Sequence, residues 1–168
     1  MRPRALLPLS LTMTLVVSLS DAGDLSGRRV PPFPDGLVNH DGACIVLAGA
    51  DQDCRYGFLI LDDGAGVPTL LLGTEAEGRD DAGKPTWLVI DSVRISPLPK
   101  GYGLAYTECA YDGVVDGLIV AAVRRYDSAA KPPEWLDHVL WARRLDLRRR
   151  VFVDLPSEQV RCKNVGMG

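Results

Sequence analysis

The chain lacks the sequence motifs by which many enzymes are identified. It contains no nucleophile elbow, no phosphate-binding loop and no H-E-x-x-H pair, so no motif assigns a catalytic residue or a cofactor. It also lacks a basic excess, because 19 Lys and Arg stand against 22 Asp and Glu, for a formal net charge of −3. That balance disfavours a nucleic-acid partner, since binding to phosphates depends on Lys and Arg.

Metal ligands are scarce as well. The only histidines are His40 and His138, and no C-x-x-C pair is present, so a zinc site is disfavoured. Paired carboxylates occur among glycines at positions 62–63 and 80–81. Their spacing lacks the sixth-position Gly and the distal Glu of a calcium loop, which predicts solvated turns and no metal site.

Long apolar runs are confined to the first segment of the chain. In residues 1–22 two arginines precede an apolar run at positions 5–19, and small residues follow it. This layout predicts a secretory signal peptide that is cleaved after Ser20 or Ala22. A membrane anchor is the less favoured alternative, because the run is short and contains Pro8. We therefore expect a periplasmic or secreted protein that does not span the membrane after cleavage.

All four cysteines follow this segment, at Cys44, Cys54, Cys109 and Cys162. An even count in an oxidising compartment predicts two disulfides, for which three pairings are possible. We favour a bridge between Cys44 and Cys54, which would close a short loop. The remaining pair, Cys109 and Cys162, would then tie the C-terminal tail to the middle of the chain. A thiol hydrolase with His40 beside Cys44 is disfavoured, because an exported cysteine with companions is usually oxidised.

Short runs of β-branched and aromatic residues, separated by turn signals, dominate the rest of the chain. They predict strands at 43–48, 56–61, 69–73, 86–95, 104–111, 118–126, 138–145 and 150–155. Residues 134–145 also fit a helix that opens at two prolines, and we favour a strand from about His138 after one helical turn. About eight short strands predict an all-β fold, a single-domain antiparallel sandwich or curled meander stapled by the disulfides.

The central stretch, Gly103 to Tyr126, contains the clearest turn signal. Two Asp-Gly pairs at positions 112–117 separate two of the predicted strands, which predicts a β-hairpin. Its strands carry apolar residues on both faces, so we expect it in the middle of a sheet. The predicted organisation is a signal peptide, a Pro- and Gly-rich extended lead-in at 23–42 and one β domain at 43–168, with an exposed acidic loop at 74–84.

The chain thus combines an export signal, a disulfide-stapled β domain and no catalytic motif. In this format the mature chain resembles small periplasmic inhibitor proteins, in particular immunity proteins that neutralise type VI secretion cell-wall amidases. The resemblance implies a stoichiometric inhibitor that plugs the cleft of an extracytoplasmic cell-wall hydrolase, such as a peptidoglycan amidase, with a rigid loop. The alternatives are an envelope ligand-binding or structural module, and a hydrolase that uses His40 or His138 with nearby carboxylates.

The predicted partner surface is the loop from Pro97 to Tyr102, flanked by the hairpin tip at 112–117. Prolines in the loop restrict φ and lower the entropy lost on binding, while glycines allow close approach of a partner. Tyr102 is the expected anchor, since binding energy concentrates in Trp, Tyr and Arg. The predicted partner-binding residues are Leu98, Lys100, Gly101, Tyr102, Asp112, Gly113 and Asp116. The competing interpretation is an ordinary strand connection in which Tyr102 only caps the core.

Overall fold

The computed structural model describes residues 24–47, 54–126 and 133–165. Within these ranges the chain forms thirteen β-strands and one 3-10 turn, Ser157–Gln159. The strands are β1 (Arg29–Val30), β2 (Val38–Ile45), β3 (Tyr56–Asp62), β4 (Pro68–Arg79), β5 (Pro85–Arg94), β6 (Tyr102–Tyr106), β7 (Cys109–Tyr111), β8 (Val114–Asp116), β9 (Ile119–Arg124), β10 (Trp135–Leu136), β11 (Val139–Asp146), β12 (Val151–Leu155) and β13 (Val160–Lys163). The all-β prediction is confirmed. The predicted signal peptide, 1–22, lies outside the described residues.

The strands form three open antiparallel sheets. Sheet A has the order β1-β5-β4-β3-β2, sheet B the order β12-β11-β9-β6, and sheet C the order β10-β13-β7-β8. Strands that follow each other closely in the chain pair with each other, as β2 does with β3 and β3 with β4. Strand β2 therefore lies at one edge of sheet A, and β6 lies at one edge of sheet B.

Sheets A and B pack face to face over the main core. Successive side chains of a strand point to opposite faces, so alternate residues of each strand reach this core. Phe58 of sheet A lies in one hydrophobic cluster with Val120 and Leu145 of sheet B, and all three are fully buried. The Phe58 ring also stacks on Phe152, with centroids 6.2 Å apart, and meets the edge of Tyr106 at 6.5 Å. This arrangement confirms the predicted sandwich.

Sheet C covers the opposite face of sheet B. The residues that meet there are mostly small: Ala121 and Ala142 of sheet B lie in one cluster with Cys109, Val160 and Cys162 of sheet C. All five are buried. Sheet B is therefore the central layer of the molecule, with an apolar core on both of its faces.

The N-terminal segment covers the outer face of sheet A. Leu25, Val30 and Phe33 pack there in one cluster with Leu72 and Val89 of the sheet. Part of the predicted lead-in therefore contributes to the core. Strand β2 also begins earlier than the sequence predicts, within the same segment.

The central hairpin is confirmed in outline and corrected in detail. Asp112 and Gly113 form a turn with positive φ at both residues, 49° and 80°. The predicted strand 104–111 is wrong in one respect, because Thr107, with a φ of 66°, separates β6 in sheet B from β7 in sheet C. Residues 114–116, predicted as part of the turn, form β8. The predicted central position holds for β9 in sheet B and for β7 in sheet C, whereas β6 is an edge strand.

Two other local predictions are wrong. The acidic stretch 74–84 is largely a hairpin rather than a loop, because β4 continues to Arg79 and the turn is confined to the residues before Pro85. Thr74 at its start is buried, and its hydroxyl donates to the Gly57 carbonyl at 3.0 Å. The helical turn predicted before His138 is the short strand β10, which pairs with β13.

Both favoured disulfides are present. Cys44 at the end of β2 bonds to Cys54 just before β3, and Cys109 bonds to Cys162, which it faces directly across β7 and β13. Two disulfides are consistent with an oxidising, extracytoplasmic environment. Within the described ranges, no helix is long and apolar enough to cross a bilayer.

Candidate functional site

The predicted binding loop is a hydrogen-bonded turn between β5 and β6. The Tyr102 amide donates to the Pro99 carbonyl at 3.0 Å, which closes the turn. Gly101 has a φ of 83°, a conformation that a side chain would strain. Its carbonyl accepts a hydrogen bond from the Arg125 amide at 2.7 Å, so the turn is fastened to the end of β9. The exposed tip of the turn is therefore held in one shape.

A cleft of about 360 Å³ opens beside this turn, at the edge of the sandwich where β2 and β6 lie. Its wall combines apolar side chains with polar groups that converge from both sheets. The lining residues on which the argument below depends are His40, Asp41, Leu98, Tyr102, Tyr106 and Arg125. We call this cleft and the turn Pro97–Tyr102 together the turn–cleft surface.

A β-bulge in β2 brings His40 and Asp41 to the cleft together. In the pairing of β2 with β3, Asn39 faces Leu61 and Asp41 faces Ile60, so His40 is the extra residue. In a regular strand, neighbouring side chains point to opposite faces. A bulge bends the strand and redirects the inserted side chain, and both residues line the cleft.

The imidazole of His40 is oriented by a buried carboxylate. Nδ1 of His40 lies 2.8 Å from Oδ2 of Asp62, whose side chain is only 7 % exposed. Oδ1 of Asp62 accepts the Gly64 amide at 2.6 Å. The Gly64 hydrogen bond and, to a lesser degree, His40 hold the pKa of Asp62 below its usual value. Asp62 is therefore ionised at neutral pH and anchors the ring of His40 through Nδ1.

Tyr106 and Asp41 form a second polar pair in the cleft. The Tyr106 hydroxyl donates to the Asp41 carboxylate, which also accepts the Gly42 amide at 2.8 Å. Burial and, after it, the hydrogen bond to Asp41 raise the pKa of Tyr106 well above its usual range. The phenol therefore stays protonated and acts as a hydrogen-bond donor.

The third polar group of the cleft is Arg125. Its guanidinium lies against the backbone of Gly103, where an added Cβ would come within 2.0 Å of Nε. Nη2 donates a long hydrogen bond of 3.3 Å to the Leu104 carbonyl. No carboxylate in the described part of the chain forms an ion pair with Arg125.

The structure brings together only some of the predicted partner-binding residues. Leu98 and Tyr102 line the cleft, and both are half-buried, while Lys100 and Gly101 are exposed at the tip of the adjacent turn. Leu98 also packs against the main core. The predicted anchor Tyr102 therefore stands between the cleft and the exposed turn.

The predicted flanking residues lie elsewhere. Asp112 and Gly113 form the exposed turn of the β7–β8 hairpin in sheet C, the layer on the other side of sheet B from sheet A. Asp116 forms an ion pair with Arg144 at 2.6 Å and accepts the Leu118 amide at 2.9 Å. These residues do not line the cleft, and Asp116 has a structural role.

Sequence reasoning misses Tyr106 and Arg125 as lining residues of the cleft, and Asp62 as the residue that orients His40. The predicted solvated turn is wrong for Asp62, because its side chain is buried, although it accepts the Gly64 amide of that turn. Its second role, the contact with His40, joins residues 22 positions apart. No local pattern indicates the bulge, because the predicted strand begins only at residue 43, after His40 and Asp41.

The polar groups of the cleft suit binding or the activation of water more than covalent catalysis. Among the described residues that line it, none is a serine, threonine or cysteine. His138, the other histidine considered as a base, is exposed and does not line the cleft. Among the described residues no group of three or more His, Cys, Asp or Glu side chains could hold a metal ion.

Comparisons with family models, curated proteins and solved structures found no match to this chain.

Proposed function

We propose that the protein is an exported binding protein that inhibits an extracytoplasmic cell-wall hydrolase, such as a peptidoglycan amidase, by stoichiometric binding. The observation that carries the proposal is the turn Pro97–Tyr102, which is exposed at its tip and fastened to β9 through the Gly101 carbonyl. A contact loop that is rigid before binding loses little conformational entropy in the complex. Such a loop can fill an enzyme cleft without any proton chemistry.

The side chains of the turn supply three kinds of contact. Lys100 is exposed and cationic, Leu98 is a half-buried apolar residue, and Tyr102 presents an aromatic ring that is also half-buried. A partly buried tyrosine is held in place by its own domain, which lowers the cost of using it as an anchor. Residues Asp112 and Gly113 belong to a different layer, so we assign the contact to the turn alone.

The proposed location outside the cytoplasm has two sources of support. The N-terminal sequence has the layout of a secretory signal peptide. The two disulfides are of the kind that persists in oxidising compartments. Periplasmic or secreted localisation is tested by fractionating cells that produce the full chain and by mass spectrometry of the mature N-terminus.

The test of the proposed function is capture of a partner from a periplasmic extract, followed by inhibition of its hydrolytic activity at a 1:1 ratio. Leu98→Ala combined with Tyr102→Ala should weaken binding by about 2 kcal/mol or more. Because Leu98 also packs against the main core, the melting temperature is measured alongside, and Tyr102→Ala alone replaces the double variant if that temperature falls. Asp112→Ala is the matched control from the hairpin tip and should bind as the wild type does. Unchanged affinity in the double variant would remove the turn from the interface.

A hydrolase that uses His40 is the second candidate, because Asp62 orients the imidazole within a cleft. With Nδ1 donating to Asp62, Nε2 could accept a proton from a water molecule. Turnover of peptidoglycan fragments by the purified protein, abolished in His40→Ala, would establish this candidate. Inhibition of a partner that persists in His40→Ala would favour the binding protein.

A further inference from the structure

We propose that the cleft is a binding site for a small, carboxylate-bearing ligand of about monosaccharide size, with Arg125 as the residue that binds the carboxylate. The proposal concerns the cleft and not the contact made by the turn. It does not depend on the proposed function, and either one can fail while the other holds.

The size and lining of the cleft fit a small ligand. Its volume of about 360 Å³ lies within the range of small-molecule sites, roughly 300 to 1,000 Å³. Ile60, Val67, Leu98 and Leu104 supply apolar wall, and the polar groups are few. Small-molecule sites share this composition, in which apolar surface provides area and a few polar groups fix the orientation.

The hydrogen bonds already made in the cleft indicate which ligand chemistry it would take. Both oxygens of Asp62 accept hydrogen bonds from within the chain, from His40 and from the Gly64 amide. Asp41 likewise accepts the Tyr106 hydroxyl and the Gly42 amide. Asp41, which lines the cleft, and Asp62, which lies behind His40, are thus both occupied by the chain's own donors.

Arg125 differs from these groups. Its side chain makes one long hydrogen bond, to the Leu104 carbonyl, and has no ion-pair partner among the described residues. A guanidinium presents a planar fork of N–H donors that matches the two oxygens of a carboxylate. Asp41 also lines the cleft and offsets the charge of Arg125, so a ligand carboxylate must contact the guanidinium directly.

Gly103 makes the position of Arg125 possible. A Cβ at this residue of β6 would lie 2.0 Å from Nε and 2.6 Å from Cζ of Arg125. Any side chain there would displace the guanidinium from the cleft wall. A substitution at Gly103 is therefore a second, independent way to perturb the site, because it would move the guanidinium of Arg125.

The experiment is a titration of the full mature protein, followed by NMR, with three sugars of matched size and different charge. The probes are D-glucuronate, D-glucose and D-glucosamine; the acid differs from D-glucose at C6 only, and the amine differs from it at C2 only. D-glucuronate should shift resonances of Tyr102, Tyr106 and Gly103 at low salt, and D-glucose and D-glucosamine should bind at least about tenfold more weakly, as expected for the loss of a charged hydrogen bond.

Two variants and one control complete the test. Arg125→Gln should weaken D-glucuronate binding by about tenfold or more, and Gly103→Ala should weaken it in the same direction by moving the guanidinium. Arg124→Gln is the matched control, because Arg124 is a neighbouring exposed arginine that does not line the cleft. Arg125→Lys keeps the charge without the fork and should bind with intermediate affinity if Arg125→Gln folds poorly.

Three outcomes would overturn the proposal. The first is that D-glucuronate does not bind the folded wild type. This outcome would stand even if Arg125→Gln weakened the binding of a protein partner. The second is equal binding of all three sugars with no effect of Arg125→Gln. The third is a preference for D-glucosamine, which would assign the site to the aspartates instead.

Discussion

The two faces of sheet B are packed in different ways. The face toward sheet A is filled by large side chains: Phe152 stacks on Phe58, and Leu145 lies in the same cluster. The face toward sheet C is filled largely by small ones, with Ala121 and Ala142 near a disulfide. The same central strands, β9 and β11, contribute to both faces because their side chains alternate.

This difference shows two ways to stabilise a sheet layer. On the first face, apolar area removed from water supplies the stability, at roughly 25 cal/mol per Å². On the second face, small residues bury less area, and a covalent bond limits the freedom of the unfolded chain instead. The first face should therefore be sensitive to lost volume, and the second to added volume and to loss of its disulfide.

The largest expected effect is loss of volume on the face toward sheet A. Phe58 is fully buried and contacts two aromatic rings, so Phe58→Ala should lower the free energy of unfolding by about 4 to 5 kcal/mol. Urea unfolding followed by tryptophan fluorescence measures this change. Leu140→Ala is the control, since Leu140 is 46 % exposed and should change stability little. A cost below about 2 kcal/mol for Phe58→Ala would contradict this account of the face.

Removing the disulfide on the face toward sheet C should cost nearly as much. Cys109 and Cys162 are 53 residues apart, and Cys44 and Cys54 are 10 apart. In the chain-entropy model, replacing the first pair by alanines costs about 4 kcal/mol and replacing the second about 3. Urea midpoints of the two double variants measure the difference. The reverse order of stability would show that loop length does not govern these bridges.

The next largest expected effect is the cost of added volume, which should differ between the two faces of sheet B. Ala121 is fully buried against sheet C, so Ala121→Leu should overpack that face and cost about 1 to 3 kcal/mol. Leu71→Met in the core between sheets A and B conserves volume and should cost less than about 1.5 kcal/mol. Thermal melting by circular dichroism compares the two. Equal melting temperatures would mean that the face toward sheet C is not tightly packed.

The smallest expected effect is electrostatic. It comes from ion pairs at the rim of the core between sheets A and B. Glu75 of β4 forms ion pairs with Arg150, beside β12 of sheet B, at 3.1 Å and with Arg55 at 3.3 Å. The hydrogen bond to Arg150, and then that to Arg55, hold the pKa of Glu75 below its usual value. Glu75→Gln should lower the free energy of unfolding at pH 7 by about 0.5 to 1 kcal/mol.

The sign of the pH dependence follows from the lowered pKa of Glu75. Its carboxylate contributes stability above the pKa of the unfolded chain, about 4.3, and this contribution is lost as the pH falls through the lower folded pKa. The wild type and Glu75→Gln should therefore converge in urea unfolding at acid pH. Glu158→Gln is the control, because Glu158 is exposed and forms no ion pair with any residue that the structure describes. A difference that persists unchanged at acid pH would show another cause.

The fold class could be predicted because it depends on local patterns. Runs of β-branched residues predict strands, and Asp-Gly pairs predict tight turns. Asp112 and Gly113 form such a turn, as expected. The division between sheets B and C could not be predicted, because it depends on positive φ at Thr107. A β-branched residue rarely adopts that conformation, so the sequence there favours a continuous strand.

The candidate site was predictable in part for the same reason. Leu98 and Tyr102 lie in a Pro- and Gly-rich connection that is visible in the sequence. The contacts of His40 with Asp62 and of Tyr106 with Asp41 join residues that are 22 and 65 positions apart. They require a bulge in β2 and the meeting of two sheet edges, which are tertiary features without a local signature.

The bond between Cys109 and Cys162 has a consequence for proteolysis of the folded chain. Strands β9, β11 and β12, which make up most of sheet B, all lie between these cysteines. One cut in an exposed connection within this span opens the backbone, yet both pieces remain covalently attached to each other. The nicked protein would run as a single band without reductant, and a fragment would separate only after the disulfide is reduced.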